Sequence, residues 1–282
     1  MSDHGENEKP RRKMRRSATQ PRRDLRALAP ALETSQHLPL VHVTAVGAAR
    51  AIIDAGQIEK KLCPVFDTEL SYFFVLRPGY RLRDGAVKSD QINRFPSVFV
   101  LSPEQLGTPY HVYPFDTGGA ANGWFEDRAD EWVNLEDYEL EPTLEAAQRH
   151  VAWAFPDLAA YLEGELRPDL GSGLSHWQDV ARSYVSIAGL AGSQTNQPDR
   201  RASAVEVAYR DHVPLKGHVK LAVLPKQYLE NGDLKNAAVL AKLQAAGVEI
   251  ATYDWQPNST PADFQDEIFR IVRRFYEREG VL

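Results

Sequence analysis

Strand-patterned segments stand at both ends of this chain, and a block of helical periodicity separates them. Before the block lie "LPLVHVT" (38–44), "ELSYFFVLRPGYR" (69–81), "FPSVFVLS" (95–102) and the short "YHVYPFDTGG" (110–119). After it come "SAVEVAYRDHVPLKGHVKLAVLP" (203–225) and "VEIATYDW" (248–255). Each alternates in the two-residue rhythm of a strand or is rich in aromatic and β-branched residues, with turn residues between. Residues 141–190 carry helical spacing instead, interrupted at Pro156 and at the turn from Pro168 to Gly173. The order predicts an α+β fold: a mixed β-sheet core with a helical insertion at about 141–190.

The connections follow the same grammar. Residues 45–55 switch to helical spacing directly after the first strand, with Thr44 placed as N-cap and Gly56 as the residue that stops the helix. Helices are also predicted at about 233–246 and over the last twenty residues, where Pro261 stands near the first helical position. The stretch from 200 to 225 reads as two consecutive strands, and in the first of them period two places Glu206, at its centre, on one face with Ala202, Ala204 and Ala208. A carboxylate among methyl groups suits a cleft floor, where small neighbours leave room for a ligand, or else an ordinary solvated surface.

Length fits one large domain or two small ones, and the composition is globular: 282 residues, 43% hydrophobic and 26% charged. The charge is unevenly placed. Residues 1–30 hold nine Lys and Arg against four Asp and Glu, while the rest of the chain holds 24 against 35. The basic, apolar-poor start predicts a disordered arm over 1–34 ahead of a single domain at 35–282. Such an arm either touches nucleic-acid phosphates, docks on the acidic body, or stays solvated. It lacks the apolar core of a secretory signal, and no run is long and apolar enough to span a membrane. The single cysteine, Cys63, reads as a small buried hydrophobe and fits a cytoplasmic setting.

Familiar catalytic signatures are missing from the sequence: no phosphate-binding loop, no dinucleotide fingerprint, no nucleophile elbow and no metal-ligand spacing among the eight histidines. What remains are polar residues at strand ends, namely His42, Tyr72, Arg77 and Glu206. Taken singly, each has a plain structural role open to it: a hydrogen-bonded core histidine, a core tyrosine, a surface turn arginine.

In order and setting, "LVHVT" with the helix reaching "IIDAGQI", then "YFFVLRP", and "SAVEVAYRDHVPLKGHVKLAVLP" resemble the ADP-ribosyltransferases, most closely the DarT-type toxins that modify DNA. The resemblance spans about half the chain in three short blocks. It implies a split mixed sheet and an NAD-dependent mono-ADP-ribosyltransferase, with NAD as substrate and no metal. It further implies that His42 and Thr44 hold the nicotinamide-ribose side of NAD, that Tyr72 lies near the nicotinamide, that Arg77 contacts the pyrophosphate or orients the acceptor, and that Glu206 is the catalytic carboxylate. Ala204 departs from the Gln or Glu that arginine-modifying relatives carry two residues before that carboxylate, so a nucleic acid or another protein group is the implied acceptor. Arg81 and Arg83 compete with Arg77 for the phosphate, and Asp116 either caps a turn with Thr117 or projects into the cleft. The implied setting is a toxin or anti-phage defence effector, with an antitoxin or phage protein as partner. Two other readings stand beside it: a non-catalytic nucleotide-binding or phage-sensing module of the same fold, and a metal-dependent nuclease using Glu206 with Asp199 or Asp211.

Overall fold

A computed structural model describes residues 20–31, 36–79, 87–193 and 198–282. The N-terminal half is built as β1 (Leu40–Ala45), α1 (Val46–Ala55), β2 (Gln57–Ile58), β3 (Lys61–Cys63), β4 (Thr68–Val75), β5 (Pro96–Leu101), β6 (His111–Tyr113) and the single-turn α2 (Thr117–Ala121). Three helices of the middle block follow: α3 (Leu144–Ala154), α4 (Leu158–Glu163) and α5 (Asp179–Ala188). The chain then returns to strands with β7 (Glu206–Tyr209), β8 (Val213–Pro214) and β9 (Val219–Pro225). It ends with α6 (Lys226–Leu229), β10 (Glu230–Asn231), β11 (Leu234–Lys235), α7 (Ala237–Ala245), β12 (Glu249–Tyr253) and α8 (Gln265–Arg278).

The main sheet runs β12-β9-β5-β1-β4-β7-β6, with β3 added to β4. β12 and β9 are parallel and the other pairs antiparallel, so the sheet is mixed. β5 lies between β1 and β9, and its run Pro-Ser-Val-Phe-Val-Leu is buried at every position, as a strand covered on both faces requires. β1 pairs with β5 along six residues but with β4 at only two, Leu40↔Val75 and Val41↔Phe74. Beyond that junction β1 stays with β5, while β4 continues with β7 and β3. The sheet therefore splits at one short seam, and the fold class is the expected one: α+β, a split mixed sheet and a helical block.

The helical block is held to the seam by a buried phenol. Tyr161 of α4 donates to the Val75 carbonyl at 2.9 Å and accepts the Val205 amide at 3.0 Å, tying the end of β4 to the residue before β7. The helices start and stop for local reasons. Thr143 and Asp157 cap α3 and α4 by accepting the Ala146 and Ala160 amides. Gly164 ends α4 at φ 83°, and a Cβ there would lie 2.6 Å from the Ala191 carbonyl oxygen, so both conformation and space require glycine.

Three sequence expectations are corrected. α1 starts one residue later than its cap was placed: Thr44 lies within β1, and Ala45 is the N-cap without a side-chain bond, while Gly56 does stop the helix at φ 70°. Ala202 lies in a 3-10 turn (Arg200–Ser203) and β7 begins only at Glu206, so no strand alternation links Glu206 to Ala202 and Ala204. Residues 20–31, read as part of a disordered arm, form a docked segment. Leu25 is fully buried, and Arg22, Arg23 and Arg26 reach Asp137, Asp179 and Glu139. The remaining arm residues, 1–19 and 32–34, and both Arg81 and Arg83 lie outside the described residues. Among the described residues no helix is long and apolar enough to cross a membrane.

Candidate active site

Where β1 and β4 part, a cavity of about 730 Å³ opens. That volume is in the range of small-molecule sites. Its walls come from four directions: His42 and Thr44 on β1, Tyr72 and Phe74 on β4, the β3 segment around Cys63, and the turn at 116–119 that begins α2. The exposed face of α1 adds Ala48 and Ala51, small residues that keep that side open. Of the sequence-predicted residues, His42, Thr44 and Tyr72 meet here.

The two wall strands are fastened where their backbones no longer pair. His42 Nδ1 lies 2.9 Å from the Tyr72 carbonyl oxygen, a bond that assigns the Nδ1 proton and bridges the gap. The Tyr72 hydroxyl donates to Cys63 Sγ at 2.8 Å, which holds the phenol against β3. Cys63 is buried, as expected, but it also borders the cavity. At another part of the wall Trp124, half exposed, carries the Arg201 guanidinium 5.2 Å from its ring centre. Arg201 is oriented by a two-pronged pair with Asp199 at 2.8 and 2.7 Å.

Glu206 is fully buried and does not itself line the cavity; Thr117, which does, stands over it. The Thr117 hydroxyl donates to Glu206 Oε1 at 2.5 Å and its amide donates to Oε2 at 3.3 Å. His111 Nε2 is 3.3 Å from Oε1, off the hydrogen-bond direction, within a cage of aromatic rings that includes Phe66 at 4.5 Å and Tyr113 at 5.1 Å. Register explains the meeting: Glu206 is opposite Phe74 on β4 and Tyr113 on β6, while Ala208 is opposite Tyr72 and His111. Period two sets all six on the face that looks toward the cavity. Glu206 thus shares a small-residue face with Ala208, but Thr117 fills the space above the carboxylate. Asp116 takes both roles considered for it, accepting the Gly118 amide as a cap and bordering the cavity.

Arg77 lies elsewhere. It is 1% exposed and is not part of the cavity wall; Nη1 donates to Ser203 Oγ at 2.5 Å and the guanidinium sits 5.4 Å from the Tyr161 ring centre. Leu76, at φ 53°, turns the chain inward just before it. Burial pushes the Arg77 pKa down to about 10, so the cation persists at neutral pH in an interior walled by phenols. Burial in turn raises the Tyr161 pKa to about 12, against the pull of the Arg77 charge. Neither a surface turn nor a contact with a ligand in this cavity describes Arg77. Of the carboxylates the nuclease reading invokes, Asp199 is paired with Arg201 and the Glu206 oxygens accept from Thr117.

Thr117 and His111 had no individual signal in the sequence. Thr117 contacts Glu206 across 89 residues, and the β6–β7 pairing that places His111 beside it spans the helical block.

No protein-family model matches the chain, and no curated protein matches it. Among solved structures, one described as "Thermus sp. 2.9 DarT in complex with NAD+" aligns over 78% of this chain and 98% of that one, with 12% identity and a TM-score of 0.36. Likeness at that level carries no structural or functional inference.

Proposed function

We propose that the protein is an NAD-dependent mono-ADP-ribosyltransferase that modifies a nucleic acid or a protein. The observation that supports this reading is the cavity at the split of the sheet, with His42, Thr44 and Tyr72 on its walls and a carboxylate one residue behind them. Departure of neutral nicotinamide leaves a ribose with oxocarbenium character, which a carboxylate in a water-poor site stabilises strongly. Glu206 is the group for that task. His42, its tautomer set by the Tyr72 carbonyl, and Thr44 line the cavity where they can hold the ribose side of the substrate. Tyr72 supplies an aromatic wall for the nicotinamide ring.

A nucleic-acid acceptor draws support from the basic arm. Since Arg22, Arg23 and Arg26 pair with carboxylates of the body, the arm's contact with phosphate rests on the cations before them. Binding through those cations falls steeply with salt, and deletion of residues 1–19 removes that slope. A cytoplasmic toxin or phage-defence effector, checked by an antitoxin or triggered by a phage protein, fits this chemistry.

The full burial of Glu206 favours one other reading, a module of the same fold that binds the nucleotide without turning it over. One experiment separates the two. Purified protein is incubated with NAD labelled on the adenylate, together with DNA, RNA and cell lysate. Label on any acceptor, with release of nicotinamide, is the expected result and identifies the acceptor class. NAD binding with neither transfer nor release establishes the binding module instead.

A further inference from the structure

Two of the five tryptophans stand almost bare on the surface: Trp132 is 80% exposed and Trp177 is 83% exposed. Large aromatic rings left in water on one part of a surface mark a place where something docks. One side chain links the two. Arg22 Nη2 donates to the Trp132 carbonyl at 3.2 Å, and Nη1 donates to Asp179, two residues after Trp177 at the start of α5. The surface is acidic as well as aromatic. Residues 126–137, which carry Trp132, hold six Asp and Glu against one Arg, and Asp130 accepts the Trp132 amide at 2.8 Å.

An indole face in an acidic setting selects cations, guanidinium above all, through charge and through the ring quadrupole. The chain itself supplies such a ligand. Residues 9–16 read Lys-Pro-Arg-Arg-Lys-Met-Arg-Arg, six cations in eight residues and no acid. The first described residue, Gln20, lies two positions before Arg22 and so beside this face. Arg16 precedes Arg22 by six residues, a span of about 20 Å when extended, which puts the start of the basic run within reach of the rings. We propose that the face carrying Trp132 and Trp177 is a docking surface for residues 9–16 of the same chain, with guanidinium groups lying on the two indoles. The segment that follows the run is already anchored by the buried Leu25 and by Arg22, Arg23 and Arg26, so closing the short tether costs little entropy.

The face is separate from the cavity, which neither tryptophan borders. Docking there creates a competition: cations held on the body are withheld from nucleic-acid phosphate, and a polyanion must take them from the indoles. Docking involves no NAD, so it stands or falls apart from the transferase reading.

Trypsin tests the docking in the full-length protein. Cleavage after the basic residues of 11–16 is followed by mass spectrometry against a synthetic peptide of residues 1–21. The run should be cut about tenfold more slowly in the protein, the worth of two exposed cation–π contacts. Trp132→Ser combined with Trp177→Ser should restore most of the peptide's rate, and so should an ionic strength of about 1 M, where charges are screened beyond about 3 Å. Both rings are exposed, so serine in their place leaves the core intact. Cleavage as fast as in the peptide, or protection that the serine changes leave untouched, overturns the proposal. Protection that grows with protein concentration places the run on a second copy and overturns docking within one chain.

Discussion

Two charged side chains that the sequence places in one site, Glu206 and Arg77, are both buried, and the interior treats them in opposite ways. Glu206 sits where donors converge: a hydroxyl on one oxygen, an amide on the other and an imidazole nearby. Among the described residues the Arg77 side chain has one hydrogen bond, to Ser203, and the face of Tyr161, and its Nε and Nη2 meet no hydrogen-bond partner. A buried charge with its bonds in place is a feature held ready for use; a buried charge compensated mostly by aromatic faces is a cost the rest of the fold carries. Under the proposed function the difference favours the carboxylate as the reactive group and leaves the arginine a packing role.

Apolar replacements of similar volume sharpen that contrast most. Glu206→Leu strands the Thr117 hydroxyl and amide as buried donors, and chemical denaturation should show a loss of about 3 kcal/mol. Arg77→Met removes the buried charge while keeping volume, and the same measurement should show a gain of about 1–3 kcal/mol. A loss in both, of equal size, would erase the distinction between the two charges.

The interior around Arg77 offers a pH test. His150, on α3, is fully buried with its ring 4.7 Å from that of Tyr184, and burial pushes its pKa down to about 3. In the unfolded chain the imidazole titrates near 6.5, so between about 6.5 and 3 the unfolded state binds the extra proton and stability falls as pH falls. The slope is about 1.4 kcal/mol per pH unit in the lower part of that window, and it should vanish in His150→Gln. Denaturation midpoints at pH 7, 6, 5 and 4 for the two proteins measure it; identical profiles would refute the burial of a neutral His150.

The smallest expected effect belongs to the docked N-terminal segment. Arg22→Ala should cost about 0.5 kcal/mol, since that guanidinium is partly exposed where it meets Asp137 and Asp179, and the cost should shrink at high salt.

Local rhythm carried much of the fold into view. The strands, the stop at Gly56, the α+β class and the helical block are all readable from periodicity and turn residues, because those signals act over a few neighbours. The site was legible in part. His42, Thr44 and Tyr72 reach one cavity, each being on a strand whose alternation is clear. What failed was long-range. Nothing near Arg77 announces that Leu76 turns it inward beneath Tyr161, nor does anything near Glu206 announce Thr117. Both outcomes depend on pairings between residues about 80 to 130 positions apart. The arm was misjudged for a related reason: Leu25 and its three arginines dock because acidic residues at 137, 139 and 179 happen to converge beneath them.

If the carboxylate beneath Thr117 carries the chemistry and the arginine beneath Tyr161 does not, nicotinamide release from NAD by the unaltered protein, Glu206→Ala and Arg77→Met, all confirmed folded, separates the two. Release should fall about 100-fold or more for Glu206→Ala, as for loss of a major electrostatic stabiliser, and stay within a few fold of normal for Arg77→Met. Full release by Glu206→Ala, or none by a folded Arg77→Met, would contradict it.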